Sequence, residues 1–145
     1  MQPLPHHYSV TAKGTATDSV TLTGPGLAAI ASAPPAEFDG PGDQWSPETL
    51  LLAAVADCFV LSFRAVAAAS KFEWISLRCD TRGTLDRDER VTRFTEIVNT
   101  ATLTIPAGTR ESRARSLLEK AEQICLISNS LNIEVRLNIE LRTDT

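Results

Sequence analysis

The chain has 145 residues, of which 43% are hydrophobic, 22% charged and 6% aromatic, with 7 Gly, 8 Pro, 3 Cys and a formal charge of -4. That balance excludes collagen-like, low-complexity and disordered classes, and at this length a single domain over residues 1–145 buries roughly 68–70% of the surface its unfolded chain exposes. The odd cysteine count rules out a disulfide scaffold, residues 1–8 lack a secretory signal pattern, and the net acidity opposes nucleic acid and anionic lipid, so a cytoplasmic protein with no nucleic-acid or membrane partner is expected.

In chain order, Tyr8, Val10 and Ala12 alternate with polar neighbours, as do Val20 and Leu22, and the polar stretch 14–18 turns one strand into the next. This predicts an antiparallel hairpin. Residues 27–33 add a strand, and Pro34, Pro35, Gly40, Pro41 and Gly42 mark a loop. Ser46 followed by Pro47 is a helix start, because the serine oxygen accepts an orphan backbone N–H and proline at the first helical position loses no bond. The helix is expected over 47–69. Its core, 50–63, is apolar on every side, short of the eighteen or more residues of a membrane span, and so calls for burial within protein.

Strand signals follow over 74–82, with Ile75, Leu77 and Cys79 on one side, and over 94–105, with Ile97, Ala101, Leu103 and Ile105 on one side. Between them, 83–90 reads as a charged, solvated connection. Thr109 caps a second helix with an apolar stripe of Ala114, Leu117, Leu118, Ala121, Ile124 and Cys125. Ile133, Val135, Leu137, Ile139 and Leu141 then alternate with polar residues in the clearest strand of the sequence. Strands, buried helix, strands, helix and strand in this order indicate an α+β fold.

Several chemistries lack their residues. The sequence has no phosphate loop and no dinucleotide turn; its two histidines, His6 and His7, are adjacent, and no C-x-x-C or H-x-x-x-H pair offers a metal site. The unusual feature is cysteine placement. Cys79 shares an inward strand face and reads as packing. Cys58, inside the apolar helix, and Cys125, before the polar turn Ser128, Asn129 and Ser130, are by pattern either inert core residues or reactive thiols, packing being the commoner state.

The segments SPETLLLAAVADCF at 46–59 and CLISNSL at 125–131 resemble the OsmC/Ohr family of thiol peroxidases, the osmotically inducible protein C and organic hydroperoxide resistance proteins. The resemblance implies an α+β fold with antiparallel sheets around a buried central helix, assembled as an interwoven homodimer with active sites at the subunit interface. It implies a peroxide-reacting cysteine at Cys58, a resolving cysteine at Cys125 and an active-site glutamate at Glu48. The substrate would be an organic hydroperoxide, the reductant a dithiol such as a lipoyl group, and no metal, flavin or haem would be needed.

A thiolate in apolar surroundings needs a compensating cation or donor, with walls such as Phe59 welcoming an alkyl tail. Family members carry an N-terminal arginine for this. Here no arginine precedes Arg64, which lies about 240° round the helix from Cys58, leaving Lys13 as the nearest N-terminal cation and Arg90 or Arg93 in the charged connection. Asp57, beside Cys58, reads equally as a helix polar contact or as a negative charge that opposes the thiolate. Glu48 precedes Cys58 by ten positions, roughly 15 Å of helical rise, so either a partner subunit supplies one of them or the helix starts later than its cap suggests. The missing arginine motivates a rival expectation, an OsmC-like dimer without efficient peroxidase chemistry that binds a small apolar ligand.

Overall fold

A computed structural model describes residues 1–144. The chain divides into two compact units, Met1–Leu50 and a second that starts at Leu51.

In the first unit, β1 (Thr11–Lys13), β2 (Val20–Thr23) and β3 (Ile30–Ser32) form an antiparallel sheet in that order. Ala12 pairs with Leu22, Leu22 with Ile30 and Val20 with Ser32, so these side chains share one face and Lys13, opposite Thr21, takes the other. Tyr8 and Val10 lie outside the strands, exposed. A 3₁₀ turn at Ala36–Phe38 leads through Asp39, in the left-handed region at φ 64°, to Gly40, where a Cβ would collide with the Pro34 carbonyl. Ser46 closes a reciprocal cap: its Oγ accepts the Thr49 N–H at 3.2 Å, and its own N–H donates to Thr49 Oγ1 at 2.9 Å. Helix α1 (Pro47–Ala69) starts at this cap, as the sequence indicates.

In the second unit α1 buries a single stripe, Val55, Phe59, Phe63, Val66 and Ala67, although its sequence is apolar all round. Leu61 is left 49% exposed. This side of the helix is therefore left uncovered within the second unit.

A second sheet has the order β4, β5, β6. β4 (Ser76–Asp88) and β5 (Val91–Pro106) are antiparallel, and the stretch 83–90, expected as a connection, continues β4 to a tight turn at Glu89 and Arg90, both at positive φ. Positive φ at both turn residues matches the right-handed twist of the strands they join. β6 (Val135–Asp144) pairs with β5 in parallel, so this sheet is mixed rather than antiparallel. Parallel neighbours need a crossover, which α2 (Glu111–Ile124) and α3 (Leu126–Asn129) supply. Arg110, not Thr109, occupies the cap position of α2, without a side-chain bond.

Ala101, Leu103 and Ile105 of β5, the α1 stripe and Ala114, Leu117, Leu118 and Ala121 of α2 make one core. Phe63 sits at its centre, edge-on to Trp74 at 5.2 Å and Phe72 at 6.4 Å between ring centroids. Replacing Phe63 by Ala removes both contacts and leaves a cavity, so urea unfolding should report a loss of about 3–5 kcal/mol.

Candidate active site

On α1, Ala54, Cys58, Leu61, Ser62 and Ala65 form a second stripe beside the buried one, since these spacings return to one helix face. They line an apolar cavity of about 540 Å³ with Asp57 on one side and Ile124, Leu126 and Ile127 on the other. Leu61, Ile124 and Leu126 are 49%, 47% and 66% exposed, so its mouth is greasy. Phe59, the expected wall, is fully buried in the core instead. One helical step of about 100° is enough to turn it away from its neighbour Cys58.

Cys125 stands where α2 gives way to α3, with extended backbone (φ −62°, ψ 105°) that breaks the helix. Its N–H donates to the Glu122 carbonyl at 3.3 Å and its carbonyl accepts the Asn129 N–H at 2.9 Å. Asn129 Nδ2 donates to the Gln123 carbonyl and Ser130 Oγ to the Leu126 carbonyl, so the polar residues of CLISNSL bond the break closed from within. The break turns Cys125 fully inward while Ile124, expected on the same stripe, stays out.

The two thiols are neighbours. Cys58 is half-buried, its Sγ 3.9 Å from Ser62 Oγ. Burial first, and the Cys58 thiol beside it, push the Cys125 thiol above its ordinary pKa, and the side chain and backbone of Ser128 oppose that shift. Ser128 Oγ is buried with no other hydrogen-bond partner of ordinary geometry. Two adjacent free thiols, one of them lining an apolar opening, are the groups that thiol–disulfide chemistry uses.

A polar thread runs behind Cys125. Cys79 Sγ lies 3.6 Å from Thr81 Oγ1, Thr81 Oγ1 donates to Asn99 Oδ1 at 2.6 Å, and Asn99 Nδ2 donates to Glu122 Oε2 at 3.4 Å. Burial pushes the Cys79 thiol up to about 11, which keeps it protonated and unreactive. Burial also lifts the Glu122 carboxyl to about 7, against the Asn99 bond. Neither Glu122 nor Asn99 stood out in the sequence. The available signal was an asparagine at an inward position of a strand otherwise carrying Ile97, Ala101, Leu103 and Ile105.

Glu48 does not line the cavity of the thiols. It belongs to the first unit, in the opening turn of α1, and borders an apolar cavity of about 480 Å³ with Ala12, Val20, Leu22 and Phe38. Its Oε1 is buried with no hydrogen-bond partner among the described residues. Among the described residues no lysine or arginine lines either cavity. Lys13 is exposed, Arg64 is exposed on α1, Arg90 lies in the hairpin turn and Arg93 is paired with Asp88 at 3.0 Å.

The family model for OsmC-like protein matches residues 40–140. An uncharacterized protein of Bacillus subtilis, YmaD, is 27% identical over 140 residues, covering 93% of each chain. Among solved structures, an OsmC-like protein of unknown function from Vibrio cholerae superposes with TM-score 0.85 at 18% identity, covering 93% of this chain and 99% of that one. An organic hydroperoxide resistance protein OsmC from Legionella pneumophila superposes with TM-score 0.75 at 26% identity, covering 95% and 99%.

Glu122 gives a pH signature. Its folded pKa of about 7 lies above the ordinary 4.5, so the protonated form is favoured in the fold. Its contribution to stability is present in full below about pH 4.5, falls as pH rises and is gone above about pH 7. Glu122→Gln removes this dependence, and the melting temperature of the variant relative to the native protein should climb between pH 5 and pH 7 and level off beyond.

Proposed function

This chain belongs to the OsmC-like family, and on that premise we propose that it is a cytoplasmic thiol-dependent peroxidase of organic hydroperoxides. The observation that carries the reading is the adjacency of Cys58, which lines an apolar-mouthed cavity, to Cys125, buried beside it. The name of the Legionella relative, an organic hydroperoxide resistance protein, supports it.

In this reading the Cys58 thiolate attacks the outer oxygen of the peroxide, the O–O bond breaks, and the leaving alkoxide takes up a proton to depart as the alcohol. Cys58 is left as a sulfenic acid. Cys125 attacks that sulfur, the S–O bond breaks, and the hydroxyl leaves with the Cys125 proton as water. A dithiol of the lipoyl type then restores both thiols by exchange and is itself oxidised to a disulfide. The exposed aliphatic mouth takes the alkyl tail.

The unpaired Glu48 and the exposed Leu61 point to a homodimer. Because α1 does begin at Pro47, a late helix start does not explain the separation of Glu48 from Cys58, and the remaining expectation is a glutamate acting on the thiol of the partner subunit. A second reading is favoured by one observation, Asp57 lining a cavity that no cation lines: a dimer with inefficient peroxidase chemistry that binds a small apolar ligand.

A turnover assay with cumene hydroperoxide and dihydrolipoamide separates the two. The peroxidase reading expects steady turnover, its abolition in Cys58→Ser, and in Cys125→Ser a single turnover followed by over-oxidation of Cys58. No turnover in the native protein, with the peroxide left intact, supports the binding reading. Light scattering at micromolar concentration should give twice the chain mass, and a monomer would remove the interface site.

A further inference from the structure

We propose that Glu122 is a positioning residue for Cys125: through Asn99 and Thr81 it ties the last turn of α2 to β5 and β4 and keeps the Cys125 thiol beside Cys58. The proposal rests on the redox reading of that thiol pair.

Asn99 is fully buried on the inward face of β5, a position flanked by Ile97 and Ala101. An amide there costs free energy unless its groups are bonded, and an aliphatic side chain would pack without that cost. Thr81, reaching across from β4, donates to the Asn99 oxygen and so fixes the amide with its nitrogen toward the helix. Glu122 accepts from that nitrogen. The same residue holds Cys125 by its main chain, because the Glu122 carbonyl takes the Cys125 N–H. One residue therefore anchors the break to the sheet with its side chain and to the cysteine with its backbone.

Closure of a disulfide is demanding, with Cβ atoms near 3.8 Å apart and a dihedral near 90°, so a cysteine at a helix break needs such an anchor. Self-capping by Asn129 and Ser130 shapes the break but does not attach it to anything else. The thread through Asn99 does.

The ionisable groups around this thread are the thiols of Cys79 and Cys125 and the carboxylate of Asp80; β5 and β6 present Asn99 and aliphatic side chains, and among the described residues no cation is paired with Glu122. The carboxyl accordingly changes charge near pH 7. Once ionised it accepts a charge-assisted bond from Asn99, which is firmer than the neutral one. The anchor tightens above neutrality.

The test measures the rate of Cys58–Cys125 disulfide formation by peptide mass mapping, with cumene hydroperoxide and, separately, with diamide, which oxidises thiol pairs without peroxidase chemistry. Native protein, Glu122→Gln, Glu122→Leu and Thr81→Val are compared from pH 6 to pH 8.5. Glu122→Leu should close roughly three- to tenfold more slowly with either oxidant, the effect of one lost hydrogen bond. Glu122→Gln keeps an acceptor for Asn99 and should match the native rate at pH 6 and lag above pH 7. Thr81→Val, which leaves the helix intact, should slow closure even if Glu122→Leu fails to fold. Slowed closure with diamide but no reaction of any form with peroxide would support the anchor and remove the peroxidase reading. Closure of Thr81→Val and Glu122→Leu at the native rate, or failure of the native protein to close with diamide, would overturn the proposal.

Discussion

Two parallel strands cannot be joined by a tight turn, so once β6 lies beside β5 in parallel, the chain after Pro106 has to climb back over the sheet before Val135. That return path is what carries Cys125. α2 spends its apolar stripe on the sheet and on α1, and the backbone then breaks to release a short helix and enter β6. The break is where a side chain is freed from the helical stripe, and the residue placed there is the cysteine that meets Cys58.

Around this point the chemistry is set by what is apolar and what is charged. The cavity that Cys58 lines favours an alkyl group, and Asp57 places a carboxylate at its edge. Glu48, across from prolines and aliphatic side chains in the first unit, is a buried carboxylate oxygen with nothing to bond. An unpaired buried acceptor costs roughly 1–3 kcal/mol or more when charged, which the single chain does not recover. The proposed homodimer would supply a partner for the acid and cover for the exposed stripe of α1.

Much of the fold was legible in the sequence for physical reasons. Ser46 and Pro47 mark a helix start because both act through local backbone geometry, and the alternation from Ile133 to Leu141 marks a strand because side chains alternate whatever the partner. The direction of pairing was not legible, since parallel and antiparallel strands alternate alike. The stretch 83–90 reads as a connection because a hairpin wet on both faces has no apolar side to reveal it. The exposure of Leu61 was hidden as well: an all-apolar helix announces burial but not by which chain. In the site, the cysteines announced themselves through their motifs, while Glu122 and Asn99, ordinary residues apart in sequence, became notable only when β5 and α2 were brought together.

The most direct measurement is the number and identity of alkylatable thiols per chain after one equivalent of cumene hydroperoxide. One free thiol, mapped to Cys79, is the expected result, with Cys58 and Cys125 joined. Three free thiols, or a disulfide that includes Cys79, would contradict the assignment of Cys58 and Cys125 as the redox pair.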